Sequence, residues 1–251
     1  MCNKIWAIAK INLKNIKTPY FVTGLIFAII FVQSIIYVII ATAGGSVGDQ
    51  LQISSGNYLW LLVIMAAIFI PTKNFRRIAN LGGKREHFFW GSLACYAVLA
   101  GAVSIINTVF FHTYERFLIN TGHYIGFETF MQNTALMEDY YVTVSVTEVF
   151  GWIGNGVVIG LLQQLAFLFL VAVVVHTLTA MQDKWYGWAV DVVIAAILAV
   201  FIPIAPLRAW LLKFFDLIIF NTNPFMQITV CMILAVAVYM LNKPILARKT
   251  I

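Results

Sequence analysis

Few residues in this sequence are equipped for chemistry, and none stands at a spacing that organises it. The four histidines are His87, His112, His123 and His176. No pair shows His-x3-His spacing and no His-Glu-x-x-His occurs, so the helical zinc-protease pattern is missing. His176 reads as a packed or interfacial histidine. The cysteines Cys2, Cys95 and Cys231 contain no Cys-x-x-Cys pair and offer no disulfide framework. There is no Gly-x-Ser-x-Gly nucleophile elbow. Gly82-Gly83-Lys84 lacks the full phosphate-loop spacing, and no strand precedes it. Glu138-Asp139 has no histidine or cysteine at ligand spacing and reads as solvated surface. The expectation is a chain with no catalytic residue, no metal and no cofactor of its own.

Two polar features inside apolar runs merit a functional reading. Asp191 is the one anionic side chain within a predicted span, about 8 Å beyond its inner end at 1.5 Å per residue. The favoured reading is a structural pair with Lys184, His176 or a cation of the basic loop; the other is proton coupling. Gln163 and Gln164 sit in another span, where such side chains face protein or a cavity rather than lipid. Gly156 and Gly160 form a Gly-x-x-x-Gly pair, which lets helices approach closely.

These residues need a scaffold, and composition says which. Of 251 residues, 62% are hydrophobic and only 10% charged, which points to an all-α polytopic membrane protein. Spans are predicted over about 20–43, 57–72, 88–111, 150–178, 186–204 and 224–241. The first apolar run is too long for a cleavable signal peptide. Residues 3–18 form an amphipathic helix, with Ile5, Ala9, Leu13 and Ile16 on one side and Lys10, Lys14 and Lys17 on the other. That is the pattern of a helix lying in the membrane interface, against anionic lipid headgroups. Pro71 ends the second span. A basic loop over 73–87 comes next, and residues 206–223 suit a short outer helix or re-entrant hairpin. Residues 112–149 are acidic and aromatic, and are expected to form short helices in an extracellular cap.

Charge sets the orientation. The predicted inner side holds Lys4, Lys10, Lys14, Lys17, Lys73, Arg76, Arg77, Lys84, Arg85, Lys184, Lys243, Arg248 and Lys249. The outer side holds only Arg116, Arg208 and Lys213. Thirteen cations against three place both termini in the cytoplasm by the positive-inside rule. The net charge of +6 is then an orientation signal, with no nucleic-acid partner implied. The loop is patterned as well as basic. Phe75, Ile78 and Ala79 share one face of a short helix, and Gly82-Gly83 stop it.

This layout resembles the permease subunits of ABC-2-type transporters, the six-span architecture shared with G-subfamily exporters. The local likeness is Leu81-Gly82-Gly83-Lys84-Arg85-Glu86-His87-Phe88-Phe89-Trp90-Gly91. It is similar to that family's Gly-x-Ser/Arg-Arg-x-x-Phe/Tyr signature, with Gly83 as the glycine, Arg85 as the basic position and Phe88 or Phe89 as the aromatic. The long loop between spans three and four departs from the pattern. The resemblance implies that residues 73–87 form a coupling helix, with Phe75, Arg76, Arg77, Ile78, Gly83, Lys84, Arg85 and Phe88 meeting a separate ATPase subunit that holds ATP and magnesium. It implies a second permease, as a homo- or heterodimer, in the plasma membrane of a bacterium. It further implies export of an amphipathic peptide, lipid-like molecule or drug. The rival is an ion-coupled transporter or channel using Asp191 or Gln163-Gln164. A third reading is an anchoring or assembly protein.

Overall fold

A computed structural model describes residues 2–43, 50–120, 124–126 and 141–248. Glu128, Glu138, Asp139 and His123, with the rest of 121–123 and 127–140 of the expected extracellular cap, lie outside the described residues. Helix α1 spans Cys2–Asn15 and α2 spans Lys17–Thr42. Strand β1 (Gln50–Ile53) and a 3-10 turn (Ser55–Leu59) lead into α3 (Trp60–Phe69). A π turn (Ile70–Asn74) joins α3 to α4 (Phe75–Asn80). Next come α5 (Arg85–Phe110), a π turn (Phe111–Glu115), α6 (Arg116–Asn120), β2 (Tyr124–Gly126) and β3 (Tyr141–Val144). After α7 (Val146–Val149) and a 3-10 turn (Ile153–Asn155) the chain runs through α8 (Val157–Met181) and α9 (Trp185–Phe201). Helix α10 (Ala205–Phe215), a π turn (Asp216–Phe220) and α11 (Pro224–Arg248) complete it.

Among the described residues, five helices are long and apolar enough to cross a membrane, or six if the bent pair α9–α10 counts as one span. With the composition, this makes the chain a helical membrane protein of several spans. The expected fifth span, 186–204, is where the structure departs most. Helix α9 has only 17 residues, and α10 leaves it at a bend of 117°. Pro203 and Pro206 explain the break, since neither has an amide to continue the ladder. The expected boundary at residue 111 also moves. Helical structure continues from Arg85 to Asn120, 36 residues, or about 54 Å at 1.5 Å per residue.

Not all of the chain is helical. Strands β1, β3 and β2 form a three-stranded parallel sheet in that order, where short helices were expected. Leu51 pairs with Val142, and Ile125 pairs with Val142 from the other side. The run Tyr141-Val142-Thr143-Val144 is rich in β-branched and aromatic residues, which suit a pleated surface.

The chain divides into two compact units. The first comprises Met1–Lys17, Val63–Gly101 and Leu165–Ile251. The second comprises Thr18–Leu62 and Ala102–Gln164. Charge is segregated between them. The first carries fifteen of the sixteen lysines and arginines and four acidic residues; the second carries Arg116 and six acidic residues.

In the first unit, α1 packs against protein. Ile8, Ala9, Asn12 and Ile16 are buried, while Trp6 and Ile11 stay exposed. The helix was expected to lie in the membrane interface; part of its apolar face is instead covered by the chain itself. The close approach is made at Gly91 of α5, where an added Cβ would stand 2.7 Å from Ile8 Cγ2 and 3.1 Å from the Ile5 carbonyl oxygen. Buried amides fix the contact: Asn74 Nδ2 donates to Asn12 Oδ1 at 3.2 Å, and Asn12 Nδ2 donates to Ser92 Oγ at 3.4 Å.

In the second unit, Phe27 and Phe31 of α2 meet Phe110 edge-on at 5.5 and 5.8 Å. Ser34 Oγ and the Tyr114 hydroxyl are 3.0 Å apart. Ser54 Oγ donates to the buried carboxylate of Glu115. Trp60 stacks on Trp152 at 6.3 Å.

The α1 contact gives a direct test. Gly91→Ala is expected to destabilise the protein by about 1–3 kcal/mol through overpacking. Gly24→Ala, with open space around the new methyl, should leave stability unchanged or slightly raised. Thermal unfolding in detergent, with proteolysis within α1 as a second readout, decides between them.

Candidate functional site

The basic segment after the second span is the candidate site, and its geometry begins with Pro71. Pro71 was expected to end the span. It is instead buried inside the π turn Ile70–Asn74, and helical structure runs without a gap from Ser55 to Asn80. The wider turn pairs Phe75 N–H with the Ile70 carbonyl, five residues back. A proline removes one amide and crowds the preceding turn; an inserted residue makes room for both defects. The segment is therefore the free end of a continuous helix, with no separate helix lying along the surface.

That end is closed by a glycine cap. Gly82 N–H donates to the Ala79 carbonyl at 3.0 Å, and Gly83 N–H donates to the Ile78 carbonyl at 2.9 Å. This is the paired bonding of a Schellman motif, with Gly82 at φ 74°. A Cβ at Gly83 would lie 2.5 Å from Ile78 Cγ2 and 2.8 Å from the Ile78 carbonyl oxygen, so the position admits only glycine without rearrangement.

The side chains sort into two sets. Phe75, Ile78 and Phe88 are buried, and Phe75 meets Phe88 edge-on at 5.1 Å. They form the seat of the elbow, so the expectation that they touch an ATPase is corrected. Arg76, Arg77 and Lys84 are exposed, as is Leu81 at 78%. Arg76 Nη2 lies 4.0 Å from Asp183 Oδ1, with the arginine 65% exposed. Such a pair contributes about 0–1 kcal/mol. Lys73 holds its ammonium 4.5 Å from the centre of the Phe69 ring.

Arg85 does something the sequence did not signal. Its Nη1 donates to the Leu246 carbonyl at 3.3 Å and to the Ala247 carbonyl. It caps the end of α11, where carbonyls lack helical partners and a cation is favoured. Arg85 is thus tied within the chain rather than presented outward.

The remaining polar residues fall elsewhere. Asp191 accepts from Gln182 Nε2 at 3.0 Å across the turn between α8 and α9. Its expected partners Lys184 and His176 are not used in that bond; Asp183 is the acidic residue that meets the basic elbow. His176 is fully buried, 2.5 Å from the Tyr96 hydroxyl through Nδ1. The Tyr239 hydroxyl donates to the Phe89 carbonyl at 2.6 Å. These bonds pin α5, α8 and α11 inside the first unit. Gln163 and Gln164 are buried in the second unit, where Gln163 Oε1 accepts from Asn155 Nδ2 at 3.1 Å.

Gly156 and Gly160 have a local use, which corrects their reading as a helix-pairing motif. Gly156 lies outside α8, at φ 90°. Gly160 lets Trp152 fold back on the first turn, since a Cβ there would stand 2.8 Å from the Trp152 carbonyl oxygen.

Sequence reading missed Asn12, Asn74, Ser92 and Asp183. Asn12 carried a signal: it interrupts the face formed by Ile8, Ala9 and Ile16, and a polar residue there needs a buried partner. Among the described residues, no three histidine, cysteine or carboxylate side chains gather where a metal ion could sit.

Fold and composition define a helical polytopic membrane protein with a capped, cationic elbow. The chain matches no protein-family model, no curated protein and no solved structure.

The two arginines give opposite expectations. Arg85→Ala should lower stability by about 1 kcal/mol and speed proteolysis near Leu246, because two carbonyls lose a charged donor. Arg76→Ala should change stability by less than about 0.5 kcal/mol. Equal melting temperatures for the two variants would contradict the capping role.

Proposed function

We propose that this chain is the permease subunit of an ATP-driven exporter of the ABC-2 type. One observation carries the reading: Arg76, Arg77 and Lys84 stand exposed on a rigid, glycine-capped elbow at the end of a helix that is continuous with the second span. A load applied there passes along the helix axis, because the π turn keeps the backbone ladder unbroken. Buried Phe75, Ile78 and Phe88 anchor the elbow, so force is transmitted rather than absorbed. The resemblance of Gly83, Arg85 and Phe88 to the family signature supports the same reading. On this account the elbow faces the cytoplasm, a separate subunit hydrolyses ATP, and the spans switch between inward and outward access by rigid-body movement.

The exposed apolar helix α9 supports assembly with a second permease. Trp185, Trp188 and Val192 are 80%, 64% and 65% exposed, and their i, i+3, i+7 spacing puts them on one face of the helix. The unit is completed by lipid and a partner chain. The cargo on this reading is an amphipathic peptide, lipid-like molecule or drug.

Affinity purification of the tagged chain in mild detergent tests the proposal. A nucleotide-hydrolysing subunit is expected to co-elute in stoichiometric amount. The double variant Arg77→Glu/Lys84→Glu should lower that recovery at least tenfold with an unchanged melting temperature, since both side chains are exposed. Transport by the purified chain alone, driven by an ion gradient, would overturn the reading.

A further inference from the structure

In the first unit, Arg85 meets Leu246 and Phe89 meets Tyr239, so the start of α5 and the end of α11 run antiparallel. Between them lies a recess of about 240 Å³, well over the room that one water needs. Arg85, Glu86, Phe89, Lys243, Leu246 and Ala247 line it. Phe89 and Leu246 are buried and give it an apolar floor, while Glu86 and Lys243 are exposed and give it a charged rim. These charges are not spent on one another. Both bonds of Arg85 run through Nη1, and its Nη2 and Nε meet no acceptor among the described residues. Neither Lys243 nor Glu86 forms an ion pair among the described residues. Two cations against one carboxylate leave one positive charge uncompensated.

The recess stands at one end of an exposed apolar stripe on α11. Ile233, Val236 and Met240 are 62%, 49% and 46% exposed. Lys243 and Ala247 continue the same face at spacings of three and four residues, and both are exposed. On a membrane-spanning helix such a face is covered by hydrocarbon. From Ile233 to Lys243 the helix rises about 15 Å, half of a hydrocarbon core of about 30 Å. The stripe is one leaflet long, which puts Lys243 and the recess at headgroup height.

We propose that the recess binds the headgroup phosphate of an anionic phospholipid, with one acyl chain laid along Met240, Val236 and Ile233. The phosphate oxygens accept from Lys243 Nζ and from Nη2 and Nε of Arg85. The α11 carbonyls already hold the guanidinium in place, so it loses little freedom on binding. Basic pockets between the ends of spanning helices are suited to such headgroups. Glu86 limits the charge that fits. It repels a second negative charge, so a phosphodiester is accommodated better than a phosphate monoester. A zwitterionic headgroup brings its own ammonium and leaves the extra positive charge of the recess unmatched. The site needs only a bilayer, so it stands or falls apart from the exporter reading.

Native mass spectrometry of the full chain in mild detergent, incubated with dioleoylphosphatidylglycerol or dioleoylphosphatidylcholine, tests this site. One molecule of the glycerol lipid is expected to stay bound, about fivefold more than the choline lipid. Lys243→Ala should lower that retention about fivefold, and Lys213→Ala, which removes an exposed cation from α10, should not. Glu86→Gln removes a like charge and should raise retention about twofold. Equal retention of the two lipids by wild-type protein would overturn the proposal, and so would retention of neither. Undiminished retention in a folded Lys243→Ala variant would reduce Lys243 to a side chain that merely reaches for the interface, and would overturn it too. Equal losses in Lys243→Ala and Lys213→Ala would show general charge attraction in place of a site. The wild-type comparison needs no variant, so it decides the matter even where Lys243→Ala fails to fold.

Discussion

A proline inside a helix leaves one carbonyl unpaired and collides with the turn before it. How the chain handles that defect at Pro71 governs much of the first unit. The π turn Ile70–Asn74 absorbs the extra residue, so α3 and α4 keep one continuous ladder. It also sets the azimuth of the residues beyond it. Phe75 and Ile78 point into the core, Arg76 and Arg77 point out, and Asn74 reaches the amide of Asn12 on α1. A clean break at Pro71 would have freed α4 to rotate, and none of these contacts would be fixed.

The bonds that hold the first unit are mostly polar and deeply buried. This suits a helical membrane protein, where lipid tails compete well with apolar side chains for apolar contact. Asn74, Asn12 and Ser92 join three elements through two hydrogen bonds. The Tyr96–His176 and Tyr239–Phe89 bonds add α8 and α11 to them through α5. Arg85 then ties the start of α5 to the end of α11. The second unit is built differently, with rings at its heart: Phe27, Phe31, Phe110 and Tyr114 on one side, and Trp60, Phe150 and Trp152 on another.

The helical, membrane-spanning class was legible from composition, and the glycine stop after Asn80 from the pair Gly82-Gly83. Three local readings failed, each for a physical reason. Pro71 looked like a terminus because hydropathy patterns carry no trace of a π turn. Gly156 and Gly160 matched a helix-pairing motif, but what needed their missing side chains was the backbone of Trp152, eight residues before Gly160. The parallel sheet was overlooked because its strands are three or four residues long and distant in sequence, although Tyr141-Val142-Thr143-Val144 had the composition of a strand. The buried roles of Phe75, Ile78 and Phe88 were hidden for another reason. An amphipathic face declares that it is covered, and leaves open whether the cover is the same chain or a different one.

Helix α9 carries a consequence for the surrounding lipid. Seventeen residues rise about 26 Å, against a hydrocarbon slab of about 30 Å. The 117° bend prevents α10 from making up the shortfall along the same axis. A bilayer crossed by α9 alone would have to thin beside it, or residues at its ends would have to reach for the interface. The length of a helix thus sets the thickness of the lipid it suits, independently of any side chain on its surface.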